Sequence, residues 1–379
     1  MNVGDYMKSV KKLFKIKKNE IYNLASTDEL FIKAMKENAV FQYENCIDYK
    51  RILDEVAFSP YKITTMEDLI RLPFLPTLYF KRHKMFSVSE KKLLIKATSS
   101  GTSGLKSEIG FDFFSLINGL NMVINVTRFH HLLSLKPVNY LIFGYEPTSE
   151  NKTAISKTAF GFTFFAPALS RSYAIRKTKE GYKLDLEHMK EALIKFSKSK
   201  TPIRTIGFPA YTYFLLKKMK DEGIFLKMPK GSMVTLGGGW KQFYTQKVDK
   251  EDFYKLVEEV LGIKEDYIIE FFGAVEHPIL YTDCREHHFH IPAYSRIIIR
   301  HPDTFEPVAD GMPGIINLLT PMVRSVPLLS IMTDDIGIIH NEKCPCGEPS
   351  PWLEIIGRVG IKDIITCAAG AEKFLKEQE

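Results

Sequence analysis

A short apolar run, Leu93–Ala97, ends directly in the loop TSSGTSGLKS at Thr98–Ser107, and helical spacing resumes over Phe113–Leu133. A strand, a loop of small residues and a helix in that order open an α/β fold, and they exclude a pure bundle or sandwich. The alternation continues downstream. Val138–Phe143, Ile203–Ile206 and Met233–Leu236 read as strands, and Leu186–Phe196 and Tyr211–Asp221 as helices. From Tyr267 onward the pattern changes to successive strands: IIEFF, SRIIIR, GIINLL, LLSIM and IGIIH. The reading divides the chain into a helical N-terminal region (1–90), an α/β core with the glycine-rich loop (91–266), a β-rich subdomain (267–358) and a short tail (359–379).

Charge and composition narrow the function classes. The net charge is +7 over 379 residues, but the basic residues are scattered. The densest run, Lys8–Lys18, interleaves Val10, Leu13, Phe14 and Ile16, as the solvated face of an amphipathic helix does. No nucleic-acid-binding motif accompanies it, so no nucleic-acid partner is expected. No apolar stretch is long enough for a membrane span, and the N-terminus lacks the apolar core of a signal peptide. Five cysteines, an odd number, do not suggest a secreted disulfide framework, and a cytoplasmic location is expected.

The loop itself offers Gly101, Gly104, a run of hydroxyls and Lys106. Glycines let the backbone approach an anion, hydroxyls donate to phosphate oxygens, and lysine brings a compact positive charge. The spacing is not that of a Walker A loop. Composition alone leaves a phosphate grip and an ordinary surface loop equally open. A second cluster is chemically distinct. CREHHFH brings Cys284 and His290, and CPCG brings Cys344 and Cys346. These four are zinc-type ligands and would close a tetrahedral Cys3His centre. Ordinary strand-edge residues are the alternative. Two aromatic segments, Thr158–Leu169 and Gly207–Leu216, read either as an acyl tunnel or as plain core, with Tyr211 as a residue to test.

TSSGTSGLKS resembles the phosphate-binding loop of adenylate-forming enzymes, and four further stretches resemble that superfamily's motifs in the same order. They are LGGGW (Leu236–Trp240), FFGAVEHP (Phe271–Pro278), and TDDIG (Thr333–Gly337) with GRVGIKD (Gly357–Asp363). The resemblance implies ATP and Mg2+ as cofactors. It implies phosphate contacts from Thr98, Ser99, Ser100, Gly101, Thr102, Ser103, Gly104 and Lys106. It implies an adenine pocket at Gly237, Gly238 and Gly239, with Phe271 or Phe272 stacked on the base beside Gly273. Glu276 would hold Mg2+, and Asp335 and Arg358 would meet the ribose. The implied fold is the large α/β N-terminal domain of these enzymes, layered sheets plus a smaller β-rich subdomain, without their usual C-terminal domain, since 21 residues follow Arg358.

The segments CREHHFHIPAYSRIIIR, LLTPMVRSVPLLSIMTDDIG and SPWLEIIGRVGIKDIITCAAGAEKF, with DYMKSVKKLF, resemble the LuxE-type acyl-protein synthetase family. That resemblance implies activation of a fatty acid as acyl-AMP, capture of the acyl group on Cys367, and delivery to an acyl reductase subunit that makes the aldehyde. A thiolate suits the capture, because an acyl-adenylate is a good electrophile. An acid–CoA ligase of the phenylacetate-CoA type is the alternative. The cysteine and histidine pattern also resembles that of such ligases.

Overall fold

The computed structural model describes residues 7–98, 107–147, 159–178, 181–240, 243 and 246–358. Strands and helices alternate as the sequence pattern requires, and the chain is α/β. It forms two compact units. Among the described residues, the first comprises 7–98, 107–130 and 273–358, and the second comprises those within 131–272.

The N-terminal part of the first unit is mostly helical. In the helix Leu24–Asn45 the residues Phe31, Ala34, Met35, Asn38, Ala39 and Gln42 are buried at helical spacing. Two of them are polar and have defined partners: Asn38 Nδ2 donates to Pro321 O (2.9 Å) and Gln42 Nε2 to Arg324 O (2.9 Å). The basic run gives a short helix, Lys8–Leu13, with Val10, Leu13 and Phe14 buried and Lys8, Lys11 and Lys12 exposed. Among the described residues no helix is long and apolar enough to cross a membrane.

Three strands follow in this stretch: β1 (Leu75–Pro76), β2 (Leu93–Thr98) and β3 (Glu108–Asp112). The sequence pattern misses β3, whose five residues include a glycine and pass straight into a helix. Its effect is to close the glycine-rich loop: β2 and β3 pair antiparallel, with Thr98 opposite Glu108. Asp112 then caps the helix Phe113–Phe129, accepting from Ser115 N (2.9 Å), and its other oxygen accepts from Arg324 Nε (2.8 Å). Loop stem and following helix are thus fixed to the same unit.

The second unit contains β4 (Val138–Tyr145), β5 (Ala168–Thr178), β6 (Gly181–Leu184), β7 (Ile203–Gly207), β8 (Met233–Gly237) and β9 (Ile268–Ala274), which carries the chain back into the first unit. Their spatial order is β9-β8-β7-β4-β5-β6, parallel except for the β5–β6 pair. The chain runs outward from β4 to β5 and then returns to β7 on the other side. The carboxyl ends of strands at such a reversal are where α/β sheets bind ligands. Both faces are covered. Leu141 and Phe143 join a core with the helices Leu186–Ser197, Pro209–Asp221 and Lys250–Leu261, while Tyr140 and Ile142 face a smaller cluster with Ala166, Tyr173 and Ile206. Gly207 ends β7 with φ 144°, and a Cβ there would lie 2.4 Å from Phe143 O, so only glycine fits.

Back in the first unit, β10 (His277–Thr282), β11 (Phe289–His290), β12 (Arg296–Arg300), β13 (Gly314–Leu319), β14 (Ser330–His340) and β15 (Trp352–Arg358) complete the strand set. A mixed sheet runs β11-β15-β14-β13-β12, with β1 added parallel to β14. IGIIH and the last three residues of LLSIM, read as separate strands in sequence, belong to one strand, β14, which bends at a bulge between Ile336 and Gly337. A Cβ on Gly337 would meet Glu354 O at 2.6 Å, which explains the glycine at the bend.

Candidate nucleotide and metal sites

Of the loop residues, Thr98 and Ser107 are described; Ser99, Ser100, Gly101, Thr102, Ser103, Gly104 and Lys106 lie outside the described residues, as does Cys367. Ser107 is fully buried. Its hydroxyl donates to Glu276 Oε1 at 2.7 Å across 169 residues of sequence. Glu276 occupies the turn between β9 and β10 and is 5% exposed. A carboxylate with one oxygen so engaged keeps further lone pairs for a hard cation, and Mg2+ is bound through one or two such groups plus phosphate oxygens. Sequence reading placed Glu276 in a motif and Ser107 at the end of the loop, but gave no sign that the two side chains meet.

Gly273 stands where a Cβ would come 3.0 Å from Ile279 O, so the turn that carries Glu276 is tight. Asp335 and Arg358 are opposite each other in the β14–β15 ladder, and Arg358 Nε lies 3.7 Å from Asp335 Oδ1. Arg358 Nη2 also donates to Asp334 Oδ2 (3.3 Å). Asp335 precedes the β14 bulge, and its backbone N–H donates to Thr333 Oγ1 (3.1 Å). Both side chains are partly exposed, so the pair adds little stability and is accessible to a polar ligand.

In the second unit, Gly237 ends β8 directly opposite Phe271 of β9. Gly238 and Gly239 follow with φ 83° and 67°, a left-handed turn that favours glycine at both positions. Strand alternation separates the two aromatic candidates. Phe271 is buried, its ring centroid 4.7 Å from that of Phe162, whereas Phe272 lies on the other side of β9 and is only half-buried. Phe272 is the more exposed of the two rings.

The two aromatic segments fall on opposite faces of the parallel sheet, so they do not line one tunnel. Tyr211 packs against Phe208 and Phe243 within the core beneath the helices. Phe162 and Phe165 border a cavity on the other face with Tyr140, Arg204, Thr235 and Phe271. That cavity has 10 Å³ of free volume, room for about one water, so an alkyl chain enters it only if these rings move.

Cys284, His290, Cys344 and Cys346 come together in the first unit, with their ligand atoms all within 4.8 Å of one another. The β11–β15 ladder sets His290 opposite Trp352, beside the turn that bears the two later cysteines. Cys284 Sγ and Cys344 Sγ are 3.9 Å apart; in a tetrahedral zinc centre with Zn–S bonds of about 2.3 Å the sulfurs stand roughly 3.8 Å apart. His290 Nδ1 is 2.9 Å from Ser350 O, which can only accept, so Nδ1 carries the proton. The lone pair on Nε2 then points toward the thiols, 3.2 Å from Cys346 Sγ. Burial pushes the thiols of Cys284 and Cys346 up and His290 down, the costs that a bound cation would remove by replacing thiol protons. The four residues fit zinc.

The sequence profile of the family described as acyl-protein synthetase, LuxE, matches residues 20–375. The chain is 25% identical over 366 residues to the long-chain-fatty-acid–luciferin-component ligase of Aliivibrio fischeri, covering 95% of this chain and 92% of that one. It is 23% identical over 335 residues to the phenylacetate-coenzyme A ligase of Thermus thermophilus, covering 86% and 68% respectively. Among solved structures, it superposes on 2-hydroxyisobutyryl-CoA ligase bound to 2-HIB-AMP with a TM-score of 0.66, covering 88% of this chain and 68% of that one. At 14% identity this last is a likeness of fold: the fold is that of an adenylate-forming ligase.

Proposed function

Because the chain belongs to the LuxE acyl-protein synthetase family, we propose that it activates a long-chain fatty acid with ATP and then carries the acyl group on its own Cys367. The observation that supports this most is the buried Ser107–Glu276 hydrogen bond. It ties the end of the glycine-rich loop to the one acid of the FFGAVEHP motif.

In the first step a carboxylate oxygen of the fatty acid attacks the α-phosphorus of ATP, the bond to the β-phosphate oxygen breaks, and pyrophosphate leaves. Glu276 would hold Mg2+, which when bound offsets the negative charge on the phosphates. Lys106 adds a second positive charge, Thr98 to Gly104 supply backbone and hydroxyl donors, and Gly237 to Gly239 with Phe272 and Gly273 receive the adenine. Asp335 accepts from the ribose hydroxyls and Arg358 holds Asp335 in place. In the second step the Cys367 thiolate attacks the acyl carbon, a thioester forms, and AMP leaves with the bonding electrons. The activated acyl group is then passed to an acyl reductase.

Acid-dependent exchange of radiolabelled pyrophosphate into ATP tests the first step. Exchange that requires both Mg2+ and a long-chain acid is expected. Exchange absent with every acid from acetate to octadecanoate would rule the reading out.

The four clustered ligands are assigned here to a structural zinc. Protein purified without chelator is expected to contain one zinc per chain by elemental analysis. Cys344→Ser should lose it and lower Tm by about 5 °C or more, with most of the effect absent in Cys46→Ser. Metal-free protein with an unchanged Tm on adding Zn2+ would sink the assignment.

A further inference from the structure

Glu276 is fixed from two sides. In front of it stands Ser107; behind it the chain enters β10 through His277, whose side chain is fully buried. His277 Nε2 lies 3.0 Å from Tyr281 Oη and 3.2 Å from Ser295 Oγ, and those two oxygens are 2.6 Å apart. The three side chains close a triangle, all of them without solvent exposure. Ser295 extends it by donating to Leu319 O of β13 (2.9 Å), and Arg296 beside it donates to Asp28 Oδ1 through Nε (3.0 Å). The backbone next to Glu276 is thereby tied to the central sheet of its unit.

A polar triangle in a core is not what apolar packing would select at these positions. Burying three polar groups costs free energy that their mutual hydrogen bonds only offset. His277 also leaves Nδ1 buried without a hydrogen-bond partner among the described residues. Leucine or phenylalanine would fill the same space without that cost. What the triangle adds is direction: it fixes the rotation of the His277 ring, and with it the start of β10, one residue from the carboxylate.

We infer that His277, held by Tyr281 and Ser295, is a positioning residue that aims the Glu276 carboxylate at the metal of the nucleotide. This rests on the reading of Glu276 as the Mg2+ ligand. Partners behind a metal ligand typically change metal affinity by about 10- to 100-fold when removed.

The test is acid-dependent pyrophosphate exchange at saturating ATP and acid, measured as a function of free Mg2+. His277→Leu should raise the Mg2+ concentration at half-maximal rate by about tenfold, while the rate at saturating Mg2+ falls much less. His277→Gln, whose amide nitrogen reaches the place of Nε2, should recover most of the loss. Tyr281→Phe, a milder change that keeps the fold, should move the Mg2+ requirement in the same direction as His277→Leu. An unmoved Mg2+ requirement in both His277→Leu and Tyr281→Phe, with only Tm lowered, would make the triangle purely structural and overturn the inference alone. Absence of exchange in the unaltered protein would instead overturn the acid-activating reading, and this inference with it.

Discussion

Glu276→Ala is expected to lower acid-dependent pyrophosphate exchange by roughly 100-fold or more at physiological Mg2+. A metal held beside the phosphates supplies several kcal/mol of charge stabilisation in the transition state, and each factor of ten corresponds to about 1.4 kcal/mol. Glu276 is buried and already oriented by Ser107, so its loss is not compensated by a neighbouring side chain shifting into place. Glu276→Gln separates the two things the residue does. It keeps an oxygen for the Ser107 hydroxyl but removes the negative charge, so it should resemble the alanine variant. Ser107→Ala removes the hydrogen bond and leaves the charge, and should cost about tenfold or less. A Glu276→Gln protein with near-normal exchange would show that the carboxylate only braces the loop.

Cys367→Ala is expected to abolish covalent acylation of the chain while leaving pyrophosphate exchange within a few-fold of normal. Activation precedes capture, so a missing acceptor cannot slow the attack on ATP. The other four cysteines of the sequence have other surroundings. Cys46 is buried, and its burial pushes the thiol up, away from the reactive thiolate form. Cys284, Cys344 and Cys346 share the metal-type cluster with His290. An alanine variant that still forms an acyl adduct would move the acceptor to another residue. A variant that loses exchange as well would mean that Cys367 contributes to activation and not only to capture.

How much of this was legible in the sequence differs by element. The glycine-rich loop was readable because glycine, hydroxyls and lysine have a common chemical meaning, and the apolar run before it marked the strand that carries it. The strand after it, β3, was not, since EIGFD is too short for periodicity to register. The zinc-type ligands were recognisable by residue type alone, but the β11–β15 pairing that closes the sites 60 residues apart is a property of sheet register. Phe271 and Phe272 were indistinguishable until β9 showed which of them points into the core. The His277–Tyr281–Ser295 triangle gave no signal: each residue is ordinary in a strand, and only the fold brings Ser295 to the other two. The choice between a tunnel and plain core for the two aromatic segments was open for the same reason, because sequence does not tell which face of a parallel sheet each will cover.

In the proposed function one chain both makes the acyl-adenylate and accepts its acyl group. The most direct measurement is the intact mass of the purified protein after incubation with ATP, Mg2+ and a long-chain fatty acid, without coenzyme A. A shift equal to the acyl group is expected, reversed by neutral hydroxylamine and absent when ATP is omitted. An unshifted mass, together with free acyl-CoA appearing once coenzyme A is added, would contradict that function and make the protein an acid–CoA ligase.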